Sequence, residues 1–130
     1  SDSDWDRIHF TGRLQRGPFT RLLQVSTVHL YLTYPFVLSW SLMEAMSAGC
    51  AIAASDTAPV REVIDHDRTG LLFDFFDRAA LIDRVTQLAG DADLRARLGT
   101  AARRRIVHEY DLRRVCLPAQ FRWIEALAES

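Results

Sequence analysis

The sequence predicts an α/β fold: a small parallel sheet of about four strands, helices on both of its faces, and a helical C-terminal tail. Three observations carry this reading. Short apolar runs alternate with helical patterns in the first part of the chain, as βαβ units do. The run from Ala51 to Ser55 is small and continuously apolar, the composition of a strand buried on both faces. After Asp77 the strand patterns stop and helical periodicity alone remains.

Arg7 to Thr11 reads as the first strand, ended by Gly12. Pro18 opens a helix whose Phe19, Leu22 and Leu23 fall at i, i+3 and i+4. Val28 to Tyr34 is the second strand, closed by Pro35. A helix follows from about Ser41 to Ser47, and Gly49 ends it. Ala51 to Ser55 is the third strand, Pro59 to Ile64 a short helix, and Thr69 to Asp74 the fourth strand. The connections are short, so right-handed crossovers give a Rossmann-like, three-layer arrangement. Asp77 is the expected N-cap of a helix marked by Leu81, Val85 and Leu88. Leu94, Leu98 and Ala102 mark another, and Leu112 to Leu127 a third that Pro118 kinks or splits.

The 130 residues fit one domain, and 48% hydrophobic content is enough for a real core. No apolar run approaches the roughly 20 residues of a membrane-spanning helix. The acidic start, Ser1 to Asp6, lacks the basic and apolar parts of a secretion signal. A net charge of −1 gives no reason to expect nucleic acid as a partner. All 16 basic residues are arginine, so lysine chemistry is ruled out. Cys50 and Cys116 read as buried free thiols of a cytoplasmic protein. His9, His29, His66 and His108 have no ligand spacing. Asp65-His66-Asp67 reads as a turn, with Asp67 left-handed, rather than as a metal cluster. No protein-bound metal and no resident cofactor are expected. Arg103-Arg104-Arg105 reads most simply as a solvated helix face, with contact to another domain or to an anionic lipid headgroup as the alternative.

Ligands of parallel α/β sheets bind beyond the carboxyl ends of the strands. Gly12 to Leu14, Tyr34 to Trp40, and Asp56 to Ala58 should converge there. The middle segment leads into a helix whose free N–H groups, near Ser39, Trp40 and Ser41, suit a phosphate-bearing ligand. Glu44 is expected in the first turn of that helix. Its acceptor oxygens match the two neighbouring hydroxyls of a ribose. Ser41-Leu42-Met43-Glu44 also fits a capping box, in which Glu44 reaches back to the N–H of Ser41. Asp56 has two readings as well, a contact to a donor hydroxyl or a cap of the following helix.

Four motifs share one order and spacing with a known family. They are Ile8-His9-Phe10-Thr11-Gly12-Arg13-Leu14, Leu42-Met43-Glu44-Ala45-Met46-Ser47-Ala48-Gly49, the stretch from Ala54 to Ile64, and Thr69-Gly70-Leu71-Leu72-Phe73. On these residues, Arg7 to about Ala126 resembles the second half of the C-terminal, nucleotide-sugar-binding domain of family 4 (group 1) glycosyltransferases, which have the GT-B fold. The resemblance implies a hexosyltransferase-type enzyme that moves a sugar from a UDP- or GDP-sugar to an acceptor, with retention at the anomeric carbon. It implies a glycan, lipid or other small-molecule acceptor, held by a separate N-terminal domain. It implies a cytoplasmic location, or one peripheral to the inner face of the membrane. Glu44 falls on the family's ribose ligand, Ser39 to Ser41 on the helix end that faces the diphosphate, and Arg13 and Leu14 on the base-binding segment.

The chain departs from that family within one loop of the site. The family pairs two glutamates separated by seven residues, and the first should fall at Phe36. Val37 and Ser39 stand where glycines are common, and a β-branched Val37 disfavours positive φ. Two explanations stay open: a donor sugar recognised by Phe36, Val37, Leu38 and Asp56, or a site that binds without catalysing. The acceptor domain and the first βαβ portion of the donor domain lie outside residues 1–130, so the segment alone is expected to be inactive. The alternatives are a non-catalytic nucleotide-sugar-binding or scaffold module and a GT-B sugar-nucleotide epimerase.

Overall fold

A computed structural model describes residues 2–34 and 37–129. After a short helix α1 (Asp2–Trp5), α2 (Arg16–Val25) leads into strand β1 (His29–Tyr31). Helix α3 (Trp40–Ala48), strand β2 (Ile52–Ser55), helix α4 (Ala58–Arg61) and strand β3 (Leu71–Phe73) follow. Helices α5 (Arg78–Gly90) and α6 (Ala92–Glu109), a π-turn over Leu112–Cys116, and α7 (Leu117–Ala128) complete the chain. The strands are parallel in the order β1-β2-β3, with Leu30 opposite Ala53 and Ala54 opposite Leu72.

The sheet has three strands among the described residues, not four. Arg7 to Thr11 is the missing one. A strand needs a neighbour to satisfy its N–H and C=O groups. No described strand runs beside this segment, and Phe10 is 87% exposed. Its apolar alternation therefore has nothing to pack against. The other three strands form where expected, although β1 keeps only His29–Tyr31 of its expected span.

Both faces of β2 are covered, as its small apolar residues require. Ile52 and Ala54 share one core cluster with Leu42, Ala45 and Met46 of α3 and with Ala102 and Ile106 of α6. Ala51 and Ala53 join a second cluster with Leu71, Phe73, Leu88 of α5, and Leu94 and Leu98 of α6. Helix α6 thus supplies its first half to one face of the sheet and its second half to the other.

Several local signals act as their chemistry dictates. Asp77 Oδ1 caps α5 by accepting from Ala80 N at 2.9 Å, and Asp91 Oδ1 caps α6 through Leu94 N at 2.8 Å. Gly49 ends α3 with φ 80°, and Asp67 takes the left-handed conformation with φ 59°. The expected third tail helix is split. Pro118 lies in the first turn of α7, and Asp111 Oδ1 caps the preceding π-turn through the N–H groups of Arg113 and Arg114. Cys50 is buried, and its thiol donates to Leu23 O at 2.9 Å, whereas Cys116 is only half-buried.

The arginine triplet of α6 is not uniformly solvated. Arg103 donates to Ser47 O, and Arg105 donates to Glu62 O at 3.0 Å. Arg105 also pairs with Asp65 and Glu109, and its side chain is 18% exposed. Arg104 alone of the three keeps the solvated character that a run of charges suggests.

Candidate functional site

The segments after β1 and β2 are fixed to one another at the carboxyl end of the sheet. Ser55 is fully buried; its hydroxyl donates to Thr33 O at 2.6 Å and accepts from Thr33 N at 2.9 Å. Asp56 N donates to Phe73 O at 2.7 Å, which carries the link to β3. Tyr31, the last residue of β1, accepts from Ser39 N through its phenol oxygen at 3.2 Å. The start of α3 is therefore anchored to the end of β1.

Ser39, not Ser41, caps α3. Its backbone is extended (φ −80°, ψ 140°), and its hydroxyl accepts from Ser41 N at 3.3 Å. The helix begins at Trp40, so Glu44 belongs to the second turn rather than the first. From there it is too far along the helix to reach back to the cap, and the capping box does not form. Glu44 is exposed and has no hydrogen-bond or ion-pair partner among the described residues. The fold gives this carboxylate no structural task.

Glu44 lines both of two grooves that share residues. The larger, about 510 Å³, is lined by Arg16, Trp40, Met43, Glu44, Tyr110 and Leu112 among others. The smaller, about 180 Å³, shares Arg16, Glu44 and Ser47 and adds Thr20, Gln24 and Arg103. Arg16 was not among the residues the sequence singled out, because the helix was read as opening at Pro18. It is the first residue of α2, two positions after Leu14, and the one cation common to both grooves with Arg103 restricted to the smaller.

The remaining expected residues are placed as follows. Gly12 has φ 61°, a turn that suits glycine, and it directs the chain into exposed Arg13 and half-buried Leu14. Trp40 is 80% exposed and Val37 76%. Leu38 packs its side chain against the core, which leaves its backbone for any ligand. Asp56 caps nothing: α4 has Thr57 at its N-cap, and Asp56 Oδ1 instead meets Arg61 Nε at 2.5 Å. Phe36 lies outside the described residues. Tyr34, Phe75 and Phe76 form a cluster of exposed rings after β1 and β3, with centroids 5.1 to 5.4 Å apart.

Residues 4–105 match the family model described as glycosyl transferases group 1. The chain belongs to that family. As a group 1 glycosyltransferase chain with the GT-B type of α/β fold, it is similar to N-acetyl-alpha-D-glucosaminyl L-malate synthase of Bacillus anthracis. The two are 29% identical over 105 residues, which are 81% of this chain and 27% of the relative. Alpha-maltose-1-phosphate synthase of Mycolicibacterium smegmatis is 36% identical over 74 residues, or 52% of this chain and 19% of the relative. The chain thus spans about a quarter or less of the curated relatives it matches.

Solved structures agree on the fold. The sucrose-phosphate synthase of Thermosynechococcus elongatus superposes with a TM-score of 0.82 at 22% identity, covering 96% of this chain and 31% of that one. The C-terminal domain of a group 1 glycosyl transferase from Francisella tularensis gives 0.69 at 19% identity, covering 82% of this chain and 53% of that domain. Three strands and their helices thus correspond in extent to about half of such a domain.

Proposed function

We propose that this chain is the donor-binding half-site of a retaining glycosyltransferase that takes a hexose from a UDP- or GDP-sugar and passes it to an acceptor. The observation that carries the reading is Glu44: exposed, without a partner among the described residues, and lining a groove that also holds Arg16 and Trp40. A carboxylate with no structural partner matches the paired hydroxyls of a ribose. The first N–H groups of α3 face the diphosphate, and Arg16 supplies a compensating positive charge. As the glycosidic bond breaks, the developing charge on the leaving diphosphate is stabilised by that helix end.

The backbone of Arg13 and Leu14 contacts the base in this reading. Val37, the backbone of Leu38, Phe36 and the free oxygen of Asp56 are the candidate contacts to the donor sugar. The donor is a substrate, and no resident cofactor enters the scheme. The rest of the diphosphate clamp and the acceptor domain, for a glycan, lipid or small molecule, belong to the remainder of the protein. Turnover therefore belongs to the full-length protein, working in the cytoplasm or at the inner face of the membrane.

A second reading is favoured by one observation, the phenylalanine at position 36 where the family resemblance implies a glutamate. It makes the site a nucleotide-sugar-binding module without catalysis. Titration of the full-length protein with UDP and GDP, followed by a donor-hydrolysis assay, separates the two. Binding with release of free sugar or transfer supports the enzyme. Binding without turnover supports the module, a converted sugar nucleotide without acceptor points to an epimerase, and no binding of either nucleotide overturns the proposal.

A further inference from the structure

On the other face of α6 from the Glu44 grooves, beside the turn that enters β3, is a separate cavity of about 270 Å³. Arg68, Arg104, Arg105 and His108 line it together with Asp65 and Glu109. Both of these carboxylates are already engaged. Asp65 Oδ2 lies 3.0 Å from Arg105 Nη1, and Glu109 Oε2 lies 3.1 Å from Arg105 Nε. The next carboxylate along the turn, Asp67, is held by Arg97 at 3.0 Å. Arg68, Arg104 and His108 have no side-chain partner among the described residues.

The helix geometry sharpens this imbalance. Ala101, Arg104, Arg105 and His108 share one face of α6, with Arg104 and His108 neighbours at i, i+4. Ala101, the smallest side chain in that row, leaves the floor of the cavity open. Arg105 is fixed by its two carboxylates and by its bond to Glu62 O, so it forms a rigid back wall. The guanidiniums of Arg68 and Arg104 and the imidazole of His108 line the same cavity, and among the described residues its two carboxylates are engaged by Arg105 rather than by them. Guanidinium forks match the oxygens of a phosphate, which can accept several charge-assisted hydrogen bonds at once.

We propose that this cavity binds a phosphate monoester, through Arg68, Arg104 and His108, at a site separate from the donor groove. The group could be carried by a free small molecule or by a lipid headgroup; the chemistry recognised is the same. The site is independent of the donor reading, because none of its residues lines the grooves at Glu44.

The test is a titration of the full-length protein with inorganic phosphate at constant ionic strength, alongside Arg68→Gln/Arg104→Gln and Glu44→Ala. We expect the double variant to bind phosphate at least tenfold more weakly, with Glu44→Ala unchanged at this site. Thermal unfolding without phosphate checks that the double variant is folded; if it is not, the charge-conserving Arg104→Lys replaces it and should weaken binding by a smaller factor. Vesicle sedimentation distinguishes the source. Retention on vesicles of phosphatidic acid in phosphatidylcholine, lost in the double variant, identifies a headgroup, and no retention on those vesicles with binding of free phosphate identifies a soluble ligand. Equal phosphate affinity in the wild type and the folded variant, or no binding of phosphate in either form, overturns the proposal.

Discussion

Gly99 of α6 lies so close to the carbonyl oxygen of Gly49, the residue that ends α3, that a β-carbon at position 99 would overlap it. The two helices meet there backbone to backbone. Gly99→Ala should therefore cost at least the ~1–3 kcal/mol typical of overpacking. Gly49 is constrained differently: its own β-carbon would have room at 3.8 Å, but its φ of 80° is left-handed. Gly49→Ala should cost about 1–2 kcal/mol, and Gly49→Asn less, since asparagine tolerates that region. Urea unfolding of the three variants, with slopes unchanged, checks the order.

Glu44→Ala should separate affinity from stability. Because no described residue depends on this carboxylate, the change should move unfolding by no more than about 0.5 kcal/mol. Loss of a charged hydrogen-bond partner to the ribose should weaken nucleotide binding by about 1.5–3 kcal/mol. A melting temperature that falls while affinity holds would show that the side chain serves the fold instead.

Ser55→Ala should do the reverse of Glu44→Ala. Its hydroxyl is buried and satisfies both the N–H and the C=O of Thr33. Removing it leaves two backbone groups without that partner, at a cost of about 1–3 kcal/mol. Since Thr33 begins the segment that leads to the cap of α3, nucleotide affinity should drop along with stability. Parallel calorimetry of unfolding and of nucleotide titration would reveal whether the two losses travel together.

His29 makes stability depend on pH. Burial holds its pKa below the usual histidine value, and Nε2 is enclosed without a partner. The unfolded chain therefore takes up a proton that the folded chain resists. Stability from this group is fully present above about pH 6.5 and is lost as pH falls below it toward the depressed folded value. Unfolding free energies between pH 5 and 8, compared with those of His29→Phe, should show a steeper acid decline for the wild type; parallel curves would exclude His29 as the cause.

Much of the architecture is legible in the chain because it depends on short-range chemistry. Ala51 to Ser55 is apolar at every position but its last, Asp77 stands one residue before a helical pattern, and Pro118 interrupts one. These signals act locally, and the structure follows them. Arg7 to Thr11 has strand composition too, but a strand is completed by its neighbour, and composition does not say whether one is there.

At the candidate site, several local details depend on contacts and dihedrals that composition does not fix. Ser39 and Ser41 are both good caps, and only the backbone dihedrals of Ser39 decide between them. That shift of two residues moved Glu44 out of the first turn and left the capping box unformed. Asp56 was diverted by Arg61 five positions later, and Arg16 came to the groove through the packing of α2 on α3. Arg105 appeared as one of three consecutive charges, although its partners Asp65 and Glu62 lie about forty residues earlier. Tertiary contacts of this kind leave no periodic trace.

The open flank of β1 bears on how this polypeptide behaves in a tube. Among the described residues β1 pairs only with β2, and Leu30 and Leu32 beside it are exposed. An unpaired strand margin is a template for any extended segment that reaches it, including one from another molecule. Preparations of this segment alone should become turbid or oligomeric as they are concentrated. A lysine at position 30 or 32 would be the first remedy, acting on colloidal behaviour while leaving the grooves at Glu44 untouched.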